Sequence, residues 1–305
     1  MTDAPDGHAD AASRSQERSG RSAGLDLGRP TPLDAAILVG VPAVLVAAHL
    51  ALGPDAKRRL ALSHADPTLY GFYTSALVHV DAAHLVGNVV GYLLAGLYAY
   101  YLAVRAGDRA WFRRAAVALL VAAPPLVNVA SYLVFAVRFP VGPTTRGFSG
   151  ATAAFGGLLL VAVGVRARRL GDGGDDRAVL ALSATTLTGV GALAAPAVGA
   201  GWSGTFLAAL AGMIAVAAGA LARFGTPRRS RRTLGLAAEA VVVGLALVVL
   251  LRGLFPPVTL AAGRTAALFP HAAGLAVGLV LASVVRVPRT RSDPDGRIDR
   301  RGDNP

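Results

Sequence analysis

The chain has no cysteine, little charge and few aromatic residues, and each shortage removes a class of explanation. Without cysteine there can be no disulfide, no thiolate nucleophile and no cysteine-ligated zinc. Charged side chains make up 16% of the 305 residues against 54% hydrophobic, too little charge to clothe one or two soluble domains of that length. Aromatics account for only 6%. The apolar runs are therefore built from Gly, Ala, Leu and Val, small residues with which membrane helices approach one another closely. No H-E-x-x-H sequence occurs, and the acids near the histidine-bearing segment are limited to Asp55, Asp66 and Asp81, so no metal site is expected. The first thirty residues lack the apolar core and cleavage site of a signal peptide.

What is present is apolar length. Stretches near the 20 or so residues needed to cross hydrocarbon fall at 34–53, 79–103, 113–136, 147–165, 179–199, 203–223, 233–252 and 267–287. The expected fold is all-α, a polytopic membrane bundle of about eight helices over 34–287. The fifth and sixth spans are divided by a turn at Gly199-Ala200-Gly201-Trp202. Residues 1–33 and 288–305, rich in Asp, Arg, Ser, Gly and Pro, are expected to be disordered tails. The net charge of +12 could point to nucleic acid, but the basic residues lie in clusters between the apolar spans and in the tails. Membrane topology accounts for that pattern, so the expected partner is the lipid bilayer and not nucleic acid.

Placing the amino terminus in the cytosol puts 23 Lys and Arg residues in the tails and alternate loops on that side, and 7 on the other. The positive-inside rule then predicts an even number of spans with both termini cytosolic, in an integral protein of a prokaryotic plasma membrane. Spans two, four and eight all run inward, so their first turns share the outer leaflet. Those first turns carry His84 and Asn88, Ser149, and His271. At 1.5 Å per residue, all four lie within about 15 Å of the outer ends of their helices.

Serine becomes a nucleophile when a base takes its proton, and histidine is the common base. Ser149 stands between glycines in Gly147-Phe148-Ser149-Gly150. His271 is followed at i+3 and i+7 by Gly274 and Gly278. These glycines form one small-residue face, and Gly150, Ala153 and Gly157 form another beneath Ser149, so the two helices can pack closely enough to bring serine and histidine together. His84 and Asn88, four residues apart, share a helix face and suit an oxyanion, with the Ser149 backbone N–H as a further donor. His79, some 140° around a helix from His84, is expected to make a structural hydrogen bond. No acid accompanies His271, which leaves a dyad with the histidine oriented by packing. Glu239 is read as the one carboxylate inside a span, reaching the interface or pairing with Arg231 or Arg232. Taken singly, Ser149 can bond its own helix backbone, His271 can be interfacial, and His84 with Asn88 can form an interhelical contact.

Three separated motifs resemble those of the rhomboid family of intramembrane serine proteases. His79-Val80-Asp81-Ala82-Ala83-His84-Leu85-Val86-Gly87-Asn88 resembles its second-helix pattern, Gly147-Phe148-Ser149-Gly150 its G-x-S-G, and His271-Ala272-Ala273-Gly274 with Gly278 its final H-x-x-G-x-x-x-G. The resemblance implies Ser149 as nucleophile, His271 as general base and acid, and His84 with Asn88 as oxyanion donors, with no cofactor. It implies substrates with a single transmembrane helix, cut in or near the outer leaflet. The chain departs from the family where an aromatic residue commonly follows the nucleophile by four positions. Ala153 stands there, and support for the histidine is expected from Phe155 or Phe269. It also has three expected spans, not one, between serine and histidine, and no Trp-Arg pair after the first span. A non-proteolytic relative that binds transmembrane clients, or a solute transporter, are the rival readings. The sequence carries no signal for an oligomeric state.

Overall fold

The computed structural model describes residues 29–138, 144–171, 231–254 and 268–286. The expected fifth and sixth spans, the turn at 199–202, residues 1–28 and the tail from 287 lie outside the described residues. By its contacts the chain divides into Met1–Thr31 and Pro32–Pro305, and the second unit holds all the elements below.

The described part is mostly helical. Helix α1 spans Pro32–Ala51, with a π-turn over Ala36–Gly40. A short α2 (Pro54–Leu60), strand β1 (Leu62–Ser63) and α3 (Gly71–Thr74, continued as a 3-10 turn over Ser75–Leu77) follow. Then come α4 (Ala82–Arg105), α5 (Arg109–Arg138), β2 (Thr144–Thr145), α6 (Ser149–Gly171), α7 (Arg231–Leu254) and α8 (Leu268–Val284). These fall on the first four and last two expected spans. Four of them, α1, α4, α5 and α6, are long and apolar enough to cross a membrane. Their outward faces carry exposed Val39, Leu50, Val86, Leu97, Val121 and Leu133, which water would not stabilise and lipid would.

Helix α6 is the centre of the bundle. Ala153, Ala154, Phe155, Leu158, Leu159 and Ala162 on it are fully buried, and α4, α5, α7 and α8 all pack against it. The tightest seam joins α6 to α8. A Cβ added to Gly274 would overlap the Gly150 carbonyl oxygen and lie 3.0 Å from Ala153 Cβ, and one added to Gly278 would overlap the Ala154 carbonyl. A Cβ on Gly157 would meet the Leu275 carbonyl at 2.6 Å. The small-residue faces predicted for these helices meet backbone to backbone.

Some helix positions differ from those expected of the sequence, for local physical reasons. The second span begins at Ala82 and not at 79, because Asp81 is an extended N-cap whose Oδ1 accepts the His84 backbone N–H at 2.7 Å. Pro124 and Pro125 lie inside α5, where they remove backbone donors.

Two buried ion pairs go beyond the sequence-based expectations. Asp34, completely buried at the start of α1, accepts two bonds from the Arg113 guanidinium (2.7 and 2.9 Å) and one from the Tyr100 hydroxyl at 3.3 Å. Glu239 is thus not the only carboxylate inside a span. It is buried and pairs with Arg166 at 2.9 Å, with Arg105 at 3.7 Å; the side chains of Arg231 and Arg232, its expected partners, lie outside what the structure describes. A carboxylate taken out of water needs a partner inside the bundle, and the ends of α4 and α6 supply it. Glu239→Gln, which keeps the shape and removes the charge, is expected to destabilise the folded chain by about 2–3 kcal/mol. Thermal unfolding in detergent would show it, and an unchanged midpoint would mean that the pair contributes nothing.

Candidate active site

The site forms where the amino-terminal ends of α4, α6 and α8 converge. Ser149 is the first residue of α6, His84 is in the first turn of α4 and Asn88 one turn further on, and His271 is the fourth residue of α8. Ser149, Gly147, Gly150, His84 and His271 line one cavity of ≈ 300 Å3. A neighbouring cavity of ≈ 320 Å3 is lined by Ser149, His84, Asn88 and His271 together. The structure therefore brings the four sequence candidates to one place.

Local geometry explains how. Gly147 has φ +111, a backbone conformation that side-chain-bearing residues rarely adopt. A Cβ there would also come within 2.6 Å of His84 Cε1 and 3.2 Å of Asn88 Nδ2. Glycine thus lets the chain turn into α6 directly against the two predicted donors. The turn is pinned by the Gly147 N–H donating to the Ser75 carbonyl at 2.9 Å. Asn128 holds that same segment through the Phe72 carbonyl and the Ser75 hydroxyl, at 2.7 and 2.9 Å. Gly150 is required by Val127, whose Cγ1 would lie 2.6 Å from an added Cβ.

Asn88 is buried, and its Nδ2 has no hydrogen-bond partner among the described residues. Its backbone carbonyl accepts from Thr152 Oγ1 at 3.3 Å, which ties α4 to α6. An unpaired buried amide donor costs free energy, and one beside a cavity is placed to meet an incoming acceptor. The Ser149 hydroxyl makes no hydrogen bond among the described residues.

His271 Nδ1 lies 2.5 Å from the Leu254 carbonyl oxygen at the end of α7. A carbonyl only accepts, so Nδ1 carries the proton and the neutral ring keeps its lone pair on Nε2. This main-chain contact, and not side-chain packing alone, orients the ring. Phe155 does not serve, because it is fully buried against Tyr92 with ring centroids 4.7 Å apart. Phe269 is 39% exposed. Ala153 is buried against Gly274, so a large side chain at that position would prise α8 from α6.

His79 lies in the loop ahead of α4 and not on the helix, so the angular separation expected from His84 does not apply. The two rings are 5.3 Å apart. His79 Nε2 accepts the Phe148 backbone N–H at 3.4 Å, a structural bond that steadies the residue before Ser149. Burial, with the neighbouring His84 adding to it, pushes the His79 pKa down to about 4, which keeps the accepting nitrogen unprotonated. Among the described residues no group of three or more His, Cys, Asp or Glu could hold a metal ion.

No protein-family profile, curated protein or solved structure matches this chain.

Proposed function

We propose that the chain is an intramembrane serine endopeptidase of the rhomboid type, cleaving proteins with a single transmembrane helix. The observation that carries this reading is the convergence of Ser149, His84 and His271 on one cavity with the unpaired Asn88 amide beside them. In this reading His271 Nε2 takes the Ser149 proton as Oγ bonds to the scissile carbonyl carbon. The negative oxygen is met by His84, Asn88 and the Ser149 backbone N–H at the start of its helix. The C–N bond then breaks, with the His271 proton passing to the leaving amine. Water, deprotonated by the same nitrogen, hydrolyses the acyl-enzyme. The Leu254 carbonyl stabilises the imidazolium formed in between, in the place where soluble triads use a carboxylate.

The membrane arrangement belongs to the same proposal. Eight spans with both termini in the cytosol would put the cavity in the outer half of the bilayer, a placement that the distribution of Arg and Lys supports. Each helix of the site then starts on the outer side, where water can reach the acyl-enzyme.

A fluorophosphonate probe tests the chemistry directly. The purified full chain in detergent is expected to be labelled at Ser149, and His271→Ala is expected to abolish the labelling. A client-binding relative or a transporter has no reason to activate a serine, so an unlabelled Ser149 in folded protein would overturn the protease reading.

A further inference from the structure

Among the described residues, the cavity that holds Ser149 has one formal charge in its wall. Its described polar lining is His84, Asn128, Thr144, Thr145, Ser149, His271 and Arg146, with no carboxylate among the described residues. The other half-buried or buried arginines among the described residues all have a partner: Arg113 pairs with Asp34, Arg166 and Arg105 with Glu239, Arg286 with Asp108, and Arg109 lies over the Tyr100 ring. Arg146 is half-buried as well, yet no ion pair reaches it among the described residues.

Its main chain is held from both sides. Thr145 pairs with Leu62 across the two-stranded sheet, and its hydroxyl bonds His64 Nε2 at 2.7 Å. Gly147 is pinned to Ser75. An arginine with fixed backbone, facing a sheltered cavity without a counter-ion, is built to receive one. A guanidinium takes a carboxylate through two parallel bonds, and partial exclusion of water strengthens the pair.

We infer that Arg146 is a specificity-determining residue that selects substrates carrying an aspartate or glutamate close to the scissile bond. This rests on the protease reading of Ser149. Arg146 stands three residues before Ser149, so their backbones are at most about 11 Å apart, and the acid it meets lies within a few residues of the bond cut. A neutral amide of the same shape leaves the guanidinium unmatched. The expected discrimination between acid and amide is about 10- to 100-fold.

Two measurements test this on the full-length protein in uncharged detergent. In the first, Ser149→Ala binds single-span peptides in which one Asp, or the matching Asn, is walked through the residues at one end of the helix. Binding is expected to be about 10- to 100-fold tighter for Asp at one or two positions. That ratio should fall to about one with Arg146→Gln added, and Arg146→Glu should turn the preference toward Lys. In the second, the wild type cleaves the same pairs, and the Asp-to-Asn ratio of kcat/KM should follow the binding ratio. The ratio is internal to each variant, so a general loss of folded protein cancels. Equal binding of Asp and Asn peptides, or a preference that survives Arg146→Gln, would overturn the role of Arg146. An Arg146-dependent preference in binding with no cleavage of any peptide by the wild type would sink the protease reading instead.

Discussion

Ser149→Ala is expected to lower cleavage of a single-span model substrate by at least about 10^4-fold, to the background of the assay. The reason is that in the proposed mechanism one atom carries the covalent step. Without Oγ there is no acyl-enzyme, and the oxyanion donors and His271 are left with only a water to activate. The same substitution should leave the fold alone. The Ser149 hydroxyl anchors nothing among the described residues, and α6 is held at this point by Gly147, Gly150 and Phe148. Its thermal midpoint should therefore match the wild type, within about 0.5 kcal/mol of stability. Cleavage by the variant at an undiminished rate would place the chemistry elsewhere.

The second large effect concerns the seam between α6 and α8. Gly278→Ala adds a single methyl group, but the atoms it meets are backbone: the Ala154 carbonyl oxygen, with the carbonyl carbon 2.7 Å and the Cα 2.8 Å away. A flexible side chain could swing aside; a helix backbone cannot. Overpacking of this kind costs about 3 kcal/mol or more, and relief by separating the helices would carry His271 away from Ser149. Loss of thermal stability together with loss of Ser149 labelling is the expected result. Gly164→Ala on α6 is the control, because a Cβ there meets nothing within 4 Å. It should be neutral or stabilising, by up to about 1 kcal/mol, since alanine is the better helix former. A Gly278→Ala protein as stable as the wild type would mean that the two helices are not in backbone contact.

Both predictions rest on features legible in the amino-acid sequence alone. Gly150, Ala153 and Gly157 on one segment and Gly274 and Gly278 on another announce a close approach, because helical periodicity is local and puts them on single faces. The shared depth of Ser149 and His271 follows from where each apolar run starts. Three other features are not legible there, each because it depends on partners distant in sequence or on main chain. Asp34 finds Arg113 79 residues away, and Glu239 finds Arg166 73 residues away, and nothing at either position marks the choice. The acceptor for His271 is a carbonyl, which every residue possesses. The place of His79 off the helix does carry a sequence signal. Asp81, three residues ahead of His84, is an ordinary N-cap, and its cap geometry starts the helix at Ala82.

The Leu254 carbonyl has a consequence for how this protein can vary. No side-chain replacement at position 254 deletes that oxygen, so a scan of α7 by alanine would pass over the contact in silence. What keeps the acceptor in place is the spacing along α7 between Glu239, fastened to Arg166, and Leu254, beside His271. The helix is a ruler, with one end clamped to the bundle and the other touching the imidazole. Outside Glu239 and the buried Val243, Leu247 and Leu250, its side chains matter less to this contact than its length, because one residue more or less would move the carbonyl by about 1.5 Å and turn it by about 100°. For the histidine contact, the quantity under constraint is therefore the number of residues between the clamp and the carbonyl, and not the side chain at position 254.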